Sequence, residues 1–351
     1  MRKRYGINND WHFSKAFDDN MLKGVYSPNW QSVRLPHSVV ETPYNYFSEG
    51  LYQGVWGYGR NLCAPIVSSL ESLEVSQRDS RLSWQWVLCF EGAAHAAKVY
   101  LDGVEIGAHI GGYTAFEIPL PAAFSMGHNH WLSVSLDSSE QLNCPPFGHV
   151  IDYMTYGGLY REVYLERRPA HGIIESYAYG KDLLSDKPQL VVEIRKHNLA
   201  ETMDSVGPGN SFSDYAIELE LLQLPRVSSL QEFIASESMD QSILKVALKT
   251  SVPWKASGGE NTTLSVPLPG LAGEGWLLWD IDCPQRYLLK VAVKCGAVVV
   301  DQYPVEIGFR KAQFTAKGFF LNGKKVKLNG INRHQSYAYV GYAMPRGPQW
   351  E

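Results

Sequence analysis

Three consecutive polar residues near the end of the chain, Asn332, Arg333 and His334, have side chains suited to hydrogen-bonding a polar substrate. They follow a stretch whose pattern predicts a β-hairpin over Gly318–Leu328. Its turn is Asn322-Gly323, a pair that favours a type I′ turn because both positions need positive φ. The pattern predicts that the second strand ends in this polar cluster and presents an arginine and a histidine together. Such an ending is typical of the first strand of a (β/α)8 barrel, whose loops build a site.

Other chemistries lack the residue spacing that they need. His109, His128, His130 and His149 are scattered without a ligand spacing, and the sequence contains no HExxH, EF-hand or Cys-rich pattern. GxGxxG and P-loop motifs are also missing, which argues against a nucleotide. We therefore predict no metal ion and no cofactor in this chain.

Composition favours short strands and turns. The 351 residues include 31 Gly and 19 Pro, 12% are aromatic, and only 19% are charged. The length favours two or three domains, and these proportions predict a mainly β architecture. The formal net charge is −4, so the chain has no excess of positive charge for binding nucleic acid.

Cysteine usage and the absence of apolar runs bear on location. The five cysteines are widely spaced and never form CxxC, which disfavours a secreted disulfide framework. The basic opening MRKRYG is followed by INNDWHF, so no signal peptide is predicted. No stretch approaches the roughly 18 apolar residues of a membrane span. We expect a soluble cytoplasmic protein with no membrane partner.

Two strand-rich regions precede the hairpin. Residues 1–168 alternate apolar and polar residues in many short runs, and this density of strands predicts a two-sheet jelly roll. The clearest runs are Val33–Leu35, Trp84–Phe90, Ala97–Leu101, Val104–Gly107, Phe116–Leu120, Trp131–Leu136 and Leu159–Glu166. The pair Asp102-Gly103 predicts a turn between the third and fourth of these runs. Residues 169–307 contain about six strands, and a further one around Val246–Leu248 brings them to the count of an immunoglobulin-like sandwich.

Five stretches, in order, resemble glycoside hydrolase family 2, the β-galactosidase and β-glucuronidase family. They are VRLPHSVVETP, YQGVWGYGRNL, FEGAAHAAKVYLDGVEIGAHIGGYTAFEIPL, GGLYREVYLE and the junction GFRKAQFTAKGFFLNGKKVKLNGINRH. The resemblance implies a sugar-binding jelly roll over 1–168, an immunoglobulin-like domain over 169–307 and the incomplete start of a TIM-barrel catalytic domain over 308–351. It also implies that His334 lies on the first barrel strand.

The resemblance also implies a reaction whose catalytic residues this chain lacks. Retaining hydrolysis of a β-glycoside needs two carboxylates about 5–5.5 Å apart. In this family both glutamates come from later barrel strands. After Glu306 the only carboxylate side chain is that of Glu351. We therefore expect this chain to lack both catalytic residues and to act with the remainder of the barrel as its partner, which would also supply most ligands of any magnesium in the full-length enzyme.

Four residues are candidate substrate contacts on the same resemblance. Asp152 matches an aspartate that accepts hydrogen bonds from sugar hydroxyls, and such charge-assisted bonds are strong. His334 matches a histidine that binds the sugar, while Arg333 would anchor carboxylates of the site. Asn45 matches more loosely. The alternatives are turn-forming roles for Asp152 and Asn45 and a structural role for His334 at a domain boundary.

Two other functions stay open at this stage. The chain could be a stand-alone carbohydrate-binding or adhesion protein made of β-sandwiches, or an assembly subunit completed by a separate polypeptide. A homo-oligomer is compatible with either. A β-glycoside or oligosaccharide is the expected ligand in each case, and β-galactosidase-like carbohydrate metabolism is the leading hypothesis.

Overall fold

The computed structural model describes residues 2–43, 48–65, 84–124, 128–145, 153–169, 172–196, 215–225, 244–253, 261–268 and 277–350. Within these ranges the chain forms two compact units. The first unit contains residues 3–168 and 332–350, and the second contains Arg2 and residues 169–331. Antiparallel sheets make up most of both units, which confirms the predicted mainly β fold.

The first unit consists of two antiparallel sheets. Its strands are β1 (Lys3–Gly6), β2 (Trp11–Ser14), β3 (Gln31–Val33), β4 (Val55–Cys63), β5 (Trp84–Phe90), β6 (Ala96–Leu101), β7 (Val104–Ile110), β8 (Phe116–Pro119), β9 (Asn129–Asp137) and β10 (Val163–Pro169). A six-stranded sheet has the order β3-β2-β4-β9-β6-β7, and a four-stranded sheet has the order β1-β10-β5-β8. Both sheets contribute to one apolar core, in which Trp11, Tyr58, Phe90 and Leu165 are buried.

Local sequence explains the tight turns of this unit. The predicted turn between β6 and β7 is present, and Asp102 and Gly103 both adopt positive φ, at 51° and 81°. The short helix α1 (Asp19–Lys23) begins where the Asp18 side chain accepts a hydrogen bond from the Met21 amide at 2.9 Å. It ends at Gly24, which adopts the left-handed conformation that favours glycine.

The second unit contains a three-stranded and a four-stranded antiparallel sheet. Its strands are β11 (Ile173–Lys181), β12 (Gln189–Lys196), β13 (Tyr215–Gln223), β14 (Lys245–Pro253), β15 (Asn261–Pro267), β16 (Tyr287–Cys295) and β17 (Val298–Ile307). The sheet orders are β11-β12-β15 and β14-β13-β16-β17. Ile194, Leu219, Val291 and Phe309 are among the buried residues of a core that both sheets share. The number of strands agrees with the six, and the further one around Val246–Leu248, that the sequence predicted.

A small three-stranded sheet follows, formed by β18 (Ala312–Thr315), β19 (Gly318–Leu321) and β20 (Lys324–Val326). The predicted Asn-Gly turn is confirmed, because Asn322 and Gly323 have φ of 50° and 81°. Sequence analysis missed β18, which pairs with β19. A second short helix, α2, covers Arg346–Trp350. Among the residues that the structure describes, no helix is long and apolar enough to cross a membrane.

The predicted second strand of the hairpin is too long, and His334 does not lie on a strand. β20 ends at Val326, and Leu328 is 61% exposed. A barrel strand is hydrogen-bonded on both sides, and the described residues after Val326 have no neighbouring parallel strand to pair with. Residues 308–331 belong to the second unit and 332–350 to the first. A separate domain over 308–351 stays a prediction.

Candidate functional site

Backbone hydrogen bonds hold part of the segment after Asn332 in place within the first unit. The Tyr339 amide donates to the Thr42 carbonyl at 2.8 Å. Tyr337 and Gly341 exchange hydrogen bonds of 3.0 and 2.9 Å, which close a tight loop. Gly341 has a φ of 56°, and a Cβ at this position would lie 2.3 Å from the Tyr156 ring. Only glycine therefore permits this loop to approach Tyr156 so closely.

A cluster of tyrosine rings surrounds Tyr342. Its ring centroid lies 4.5 Å from that of Tyr156, 5.9 Å from that of Tyr160 and 6.4 Å from that of Tyr113. The Tyr342 hydroxyl donates to the Met154 carbonyl at 2.9 Å. Tyr342 thus anchors the segment that carries His334 to the backbone at Met154, next to Tyr153. We call Tyr113, Tyr156, Tyr160 and Tyr342 the tyrosine cluster.

His334 lies beside Tyr153. The two ring centroids are 6.0 Å apart with an interplanar angle of 82°, an edge-to-face contact. His334 and Arg333 are both exposed, while Tyr153 is half-buried. The imidazole and the guanidinium are therefore available to a ligand, and the anchored tyrosine cluster restricts where the histidine can lie.

Charged side chains add a weaker attachment at the end of the segment. Arg346 lies 3.6 Å from carboxylate oxygens of both Glu91 and Glu162. Its side chain is 70% exposed, so each pair stabilises the docked segment by no more than about 1 kcal/mol. Packing of Tyr342 and Ala343 contributes more, because Ala343 is buried against Ala94 and Tyr160.

The four predicted contact residues divide into two groups. Arg333 and His334 lie in the docked segment, whereas Asn45 and Asp152 lie outside the described residues. Their nearest described neighbours in the chain are Pro43 and Tyr153. Thr42, which precedes Pro43, is bonded to Tyr339, and Tyr153 contacts His334. The structure therefore brings Thr42 and Tyr153, which lie close in sequence to Asn45 and Asp152, into contact with the segment that carries His334. Contacts of Asn45 and Asp152 themselves stay a prediction.

The hydroxyls of Tyr113 and Tyr342 are neutral at ordinary pH. Burial, followed by the neighbouring hydroxyls of Tyr342 and Tyr153, raises the pKa of Tyr113. Burial raises the pKa of Tyr342 to about 12, although its hydrogen bond with Tyr113 opposes this shift. Phenolic groups in this state can donate as well as accept hydrogen bonds. Tyr113, which is 39% exposed, can therefore offer a ligand a neutral phenol in addition to the exposed side chains of Arg333 and His334.

Metal binding finds no support among the parts of the chain that the structure describes. No three His, Cys, Asp or Glu side chains there lie close enough together to hold an ion. Among the described residues, the ring in contact with His334 is that of Tyr153, which is no carboxylate and cannot serve as the acid or the nucleophile of a glycosidase. The arrangement suits binding of a polar ligand.

Sequence analysis did not find the tyrosine cluster. The chain has 20 Tyr, so single tyrosines gave little reason to prefer binding over core packing. The usable signal was the run Tyr337-Ala338-Tyr339-Val340-Gly341-Tyr342, where closely spaced aromatic residues meet a glycine. Without the fold, nothing indicated that this run would contact residues near position 155.

Comparison with known proteins gives this site a context. No family model matches the chain. It is 32% identical over 350 residues to a β-galactosidase from Thermoanaerobacterium thermosulfurigenes, an alignment that covers 99% of this chain and 43% of that protein. It is 30% identical over 359 residues to a β-galactosidase from Rhizobium meliloti, covering 99% of this chain and 39% of the relative. The chain is homologous to part of the β-galactosidase and β-glucuronidase enzymes.

The solved structures of this family share the fold. A β-glucuronidase from Bacteroides uniformis, covalently bound to cyclophellitol-6-carboxylate aziridine, matches with a TM-score of 0.71 at 23% identity. The match covers 100% of this chain and 38% of that one. The present chain spans about two fifths of the length of the curated relatives that it matches. The likeness to the family therefore concerns the β-rich portion described above.

Proposed function

We propose that this chain is the accessory N-terminal region of a retaining β-glycosidase, most like a β-galactosidase. It contributes part of the sugar pocket to a catalytic barrel. The observation that carries the proposal is the contact of His334 with Tyr153, next in the chain to Asp152, in a segment anchored by Tyr342. Homology to these enzymes supports a glycoside as the ligand, and the likeness to two β-galactosidases favours a galactoside.

The roles of the individual residues follow from their chemistry. Asp152 would accept hydrogen bonds from two sugar hydroxyls, which is the strong, charge-assisted kind. His334 would accept a hydrogen bond from a sugar hydroxyl, and this bond strengthens as positive charge develops on the sugar ring and makes the hydroxyl more acidic. Arg333 would hold carboxylates of the site in place. Asn45 would contribute a further amide contact.

Exposed apolar side chains that precede the site in the chain favour a covering partner. Leu328 is 61% exposed and Ile331 is 92% exposed, and both precede Arg333 and His334 closely in the chain. Burying such side chains against another protein surface stabilises the association by about 1.5–3 kcal/mol each. The remainder of a catalytic barrel is the partner that the family resemblance implies. A stand-alone binding protein would leave these side chains in water.

Hydrolysis by this chain alone is not expected. From Ile307 onward the only carboxylate side chain is that of Glu351, so two carboxylates cannot flank a glycosidic bond beside His334. A magnesium ion in the full-length enzyme, a homo-oligomer and the cytoplasmic location stay predictions.

Assays on nitrophenyl glycosides test this proposal. We expect no hydrolysis of nitrophenyl β-galactoside by the 351-residue chain, and hydrolysis once the chain is extended through a complete barrel. In the extended protein, His334→Ala should lower kcat/KM by about a hundredfold, because a transition-state hydrogen bond is lost. The control His128→Ala removes an exposed histidine of the first unit and should change kcat/KM by less than about twofold.

Two outcomes would contradict the proposal. One is hydrolysis by the 351-residue chain that survives repurification and is lost on His334→Ala. The other is an extended, active protein in which His334→Ala and His128→Ala behave alike. A β-glucuronide preferred over the β-galactoside would correct the substrate and leave the assignment of the site intact.

A further inference from the structure

The outer face of the three-stranded sheet in the second unit carries two exposed tyrosines side by side. Tyr177 is 61% exposed and Tyr179 is 36% exposed, both on β11. Their ring centroids lie 5.8 Å apart with an interplanar angle of 36°. We call this surface the tyrosine face; it comprises Tyr177, Tyr179, Glu175, Glu193, Arg195 and Thr263.

Sheet register fixes the direction of these side chains. Ala178 of β11 and its partner Val192 of β12 point into the core, where both are buried. Since successive side chains of a strand point to opposite sides, Tyr177 and Tyr179 must point outward. The two tyrosine rings are not part of the apolar core of the second unit. Their exposure leaves apolar surface in contact with water, and a ligand could cover this surface.

Polar groups lie in the adjoining positions of the same face. Glu193 is opposite Tyr177 on β12, and its carboxylate accepts a hydrogen bond from the Tyr179 hydroxyl at 3.3 Å. Thr263 of β15 is opposite Glu193 on its other side. Arg195 donates to Glu175 at 3.1 Å. Two aromatic rings are thus bordered by carboxylate, guanidinium and hydroxyl groups.

This combination matches the chemistry of a sugar chain. The C–H face of a pyranose ring packs on an aromatic ring, and its hydroxyls need nearby donors and acceptors. A separation of 5.8 Å between the rings is close to the advance of one sugar residue along an extended chain. Two carboxylates against one guanidinium give the patch no excess of positive charge, which disfavours nucleic acid and other polyanions.

We infer that the tyrosine face is a binding site for a neutral oligosaccharide, with consecutive sugar residues packed on Tyr177 and Tyr179. Glu193, Arg195 and Thr263 hold the hydroxyls. None of these residues belongs to the segment with His334, so the inference does not depend on the proposed function.

Affinity electrophoresis with the full 351-residue chain tests this site. Native gels contain a neutral polysaccharide, with galactan, xylan and mannan tried separately, and a charged polysaccharide, pectate, as the counter-probe. We expect at least one neutral polymer to retard the wild-type chain and pectate not to. The double variant Tyr177→Ala/Tyr179→Ala should lose at least tenfold in affinity for that polymer. The variant Tyr177→Phe/Tyr179→Phe keeps both rings and should stay within about threefold of the wild type.

Two matched variants separate this site from other surfaces. Tyr26→Ala removes a tyrosine of the first unit that is 73% exposed and should leave retardation unchanged. Retardation that is lost in His334→Ala and kept in Tyr177→Ala/Tyr179→Ala would assign the binding to the His334 segment, so failure of the proposed function and failure of this site give different results. Thermal unfolding of each variant checks that both units remain folded.

Three results would overturn the inference. The first is no retardation of the wild-type chain by any of the neutral polymers. The second is equal retardation of the wild type and the folded double alanine variant. The third is a dimer in sedimentation velocity that the double alanine variant abolishes, which would assign the face to a second copy of the chain.

Discussion

At the scale of single residues, His37 is a histidine held neutral inside the first unit. Its Nδ1 lies 2.9 Å from the Tyr58 hydroxyl, and its ring packs 4.8 Å from that of Phe13. Burial lowers the pKa of His37 to about 4. Burial also lowers the pKa of His95, although Glu140 and Asp137 oppose that shift.

These histidines predict a loss of stability in mild acid. Above a pH of about 6.5 neither the folded nor the unfolded chain protonates His37, so its contribution to stability is fully present. Between pH 6.5 and about 4 only the unfolded chain takes up the proton, and the free energy of unfolding falls. The slope from one such histidine is at most about 1.4 kcal/mol per pH unit. Below about pH 4 both states are protonated and this loss ends.

Urea unfolding at several pH values, with wild type and His37→Gln, measures this effect. The variant should show a shallower fall in unfolding free energy between pH 6.5 and 4, because one titrating group is gone. The difference between the two proteins should be constant above pH 7. Equal slopes in wild type and variant would show that His37 is solvated in the folded chain.

The candidate site was only partly accessible from sequence. Arg333 and His334 could be named because they follow a recognisable hairpin, and the structure finds both exposed. Tyr153 and Tyr342 could not be named, since their roles depend on contacts between residues far apart in the chain. The hydrogen bond from Tyr342 to Met154 joins positions separated by 188 residues, which no local pattern reports.

At the scale of elements, the loop that ends at Gly341 decides whether the His334 segment stays docked. Gly341→Ala would combine a left-handed φ of 56° with a Cβ only 2.3 Å from the Tyr156 ring. Strain at one such position costs about 1–3 kcal/mol, and the clash adds to it. We expect the segment to open, with hydrogen exchange at the Tyr339 and Gly341 amides faster by tenfold or more.

Gly330→Ala is the matched control for this prediction. Gly330 has no atoms within 4 Å of an added Cβ and no left-handed φ, so alanine should be tolerated there. Hydrogen exchange measured by mass spectrometry on peptides covering residues 332–346 gives the readout. If both variants exchange like the wild type, the loop is held by something other than the fit of Gly341 on Tyr156.

Strand positions were the most predictable elements, and their ends the least. The Asp102-Gly103 and Asn322-Gly323 turns were identified because both pairs adopt positive φ easily. The predicted strand Leu159–Glu166 instead begins at Val163, because the residues before it form irregular backbone around Gly157 and Gly158. β1 was missed for another reason: it is stabilised by pairing with β10, a distant strand.

At the scale of the whole molecule, each unit has its own apolar core, and Arg2 serves the second one. Its guanidinium donates to the Asp301 carboxylate at 2.9 and 3.0 Å, and the Asp301 side chain is fully buried. The Ile173 amide also donates to Asp301 at 2.8 Å. β1 of the first unit begins at the next residue, Lys3. A side chain near the start of the sequence therefore stabilises the second unit, whose strands all follow residue 172.

Arg2→Ala should destabilise the second unit selectively. Removing the guanidinium leaves a buried carboxylate without its ion pair, which costs about 3–5 kcal/mol. The first unit should keep its unfolding midpoint, since the two cores share no residue. Hydrogen exchange during urea unfolding, read separately on peptides of each unit, makes the measurement.

Lys324→Ala is the control in the same unit. Lys324 lies 3.9 Å from Asp280 and its side chain is 80% exposed, so its loss should cost less than about 1 kcal/mol. A parallel loss of stability in both units after Arg2→Ala would mean that they unfold as one cooperative body.

The first unit is assembled from stretches on both sides of the second unit in the sequence. A cleavage anywhere between residues 172 and 330 would leave Tyr153 and His334 on different polypeptides. The contact between Tyr153 and His334 could then form only if the two fragments recombined, as in fragment complementation. The order of the chain thus ties this contact to an intact second unit, even though no residue of that unit contributes to the tyrosine cluster.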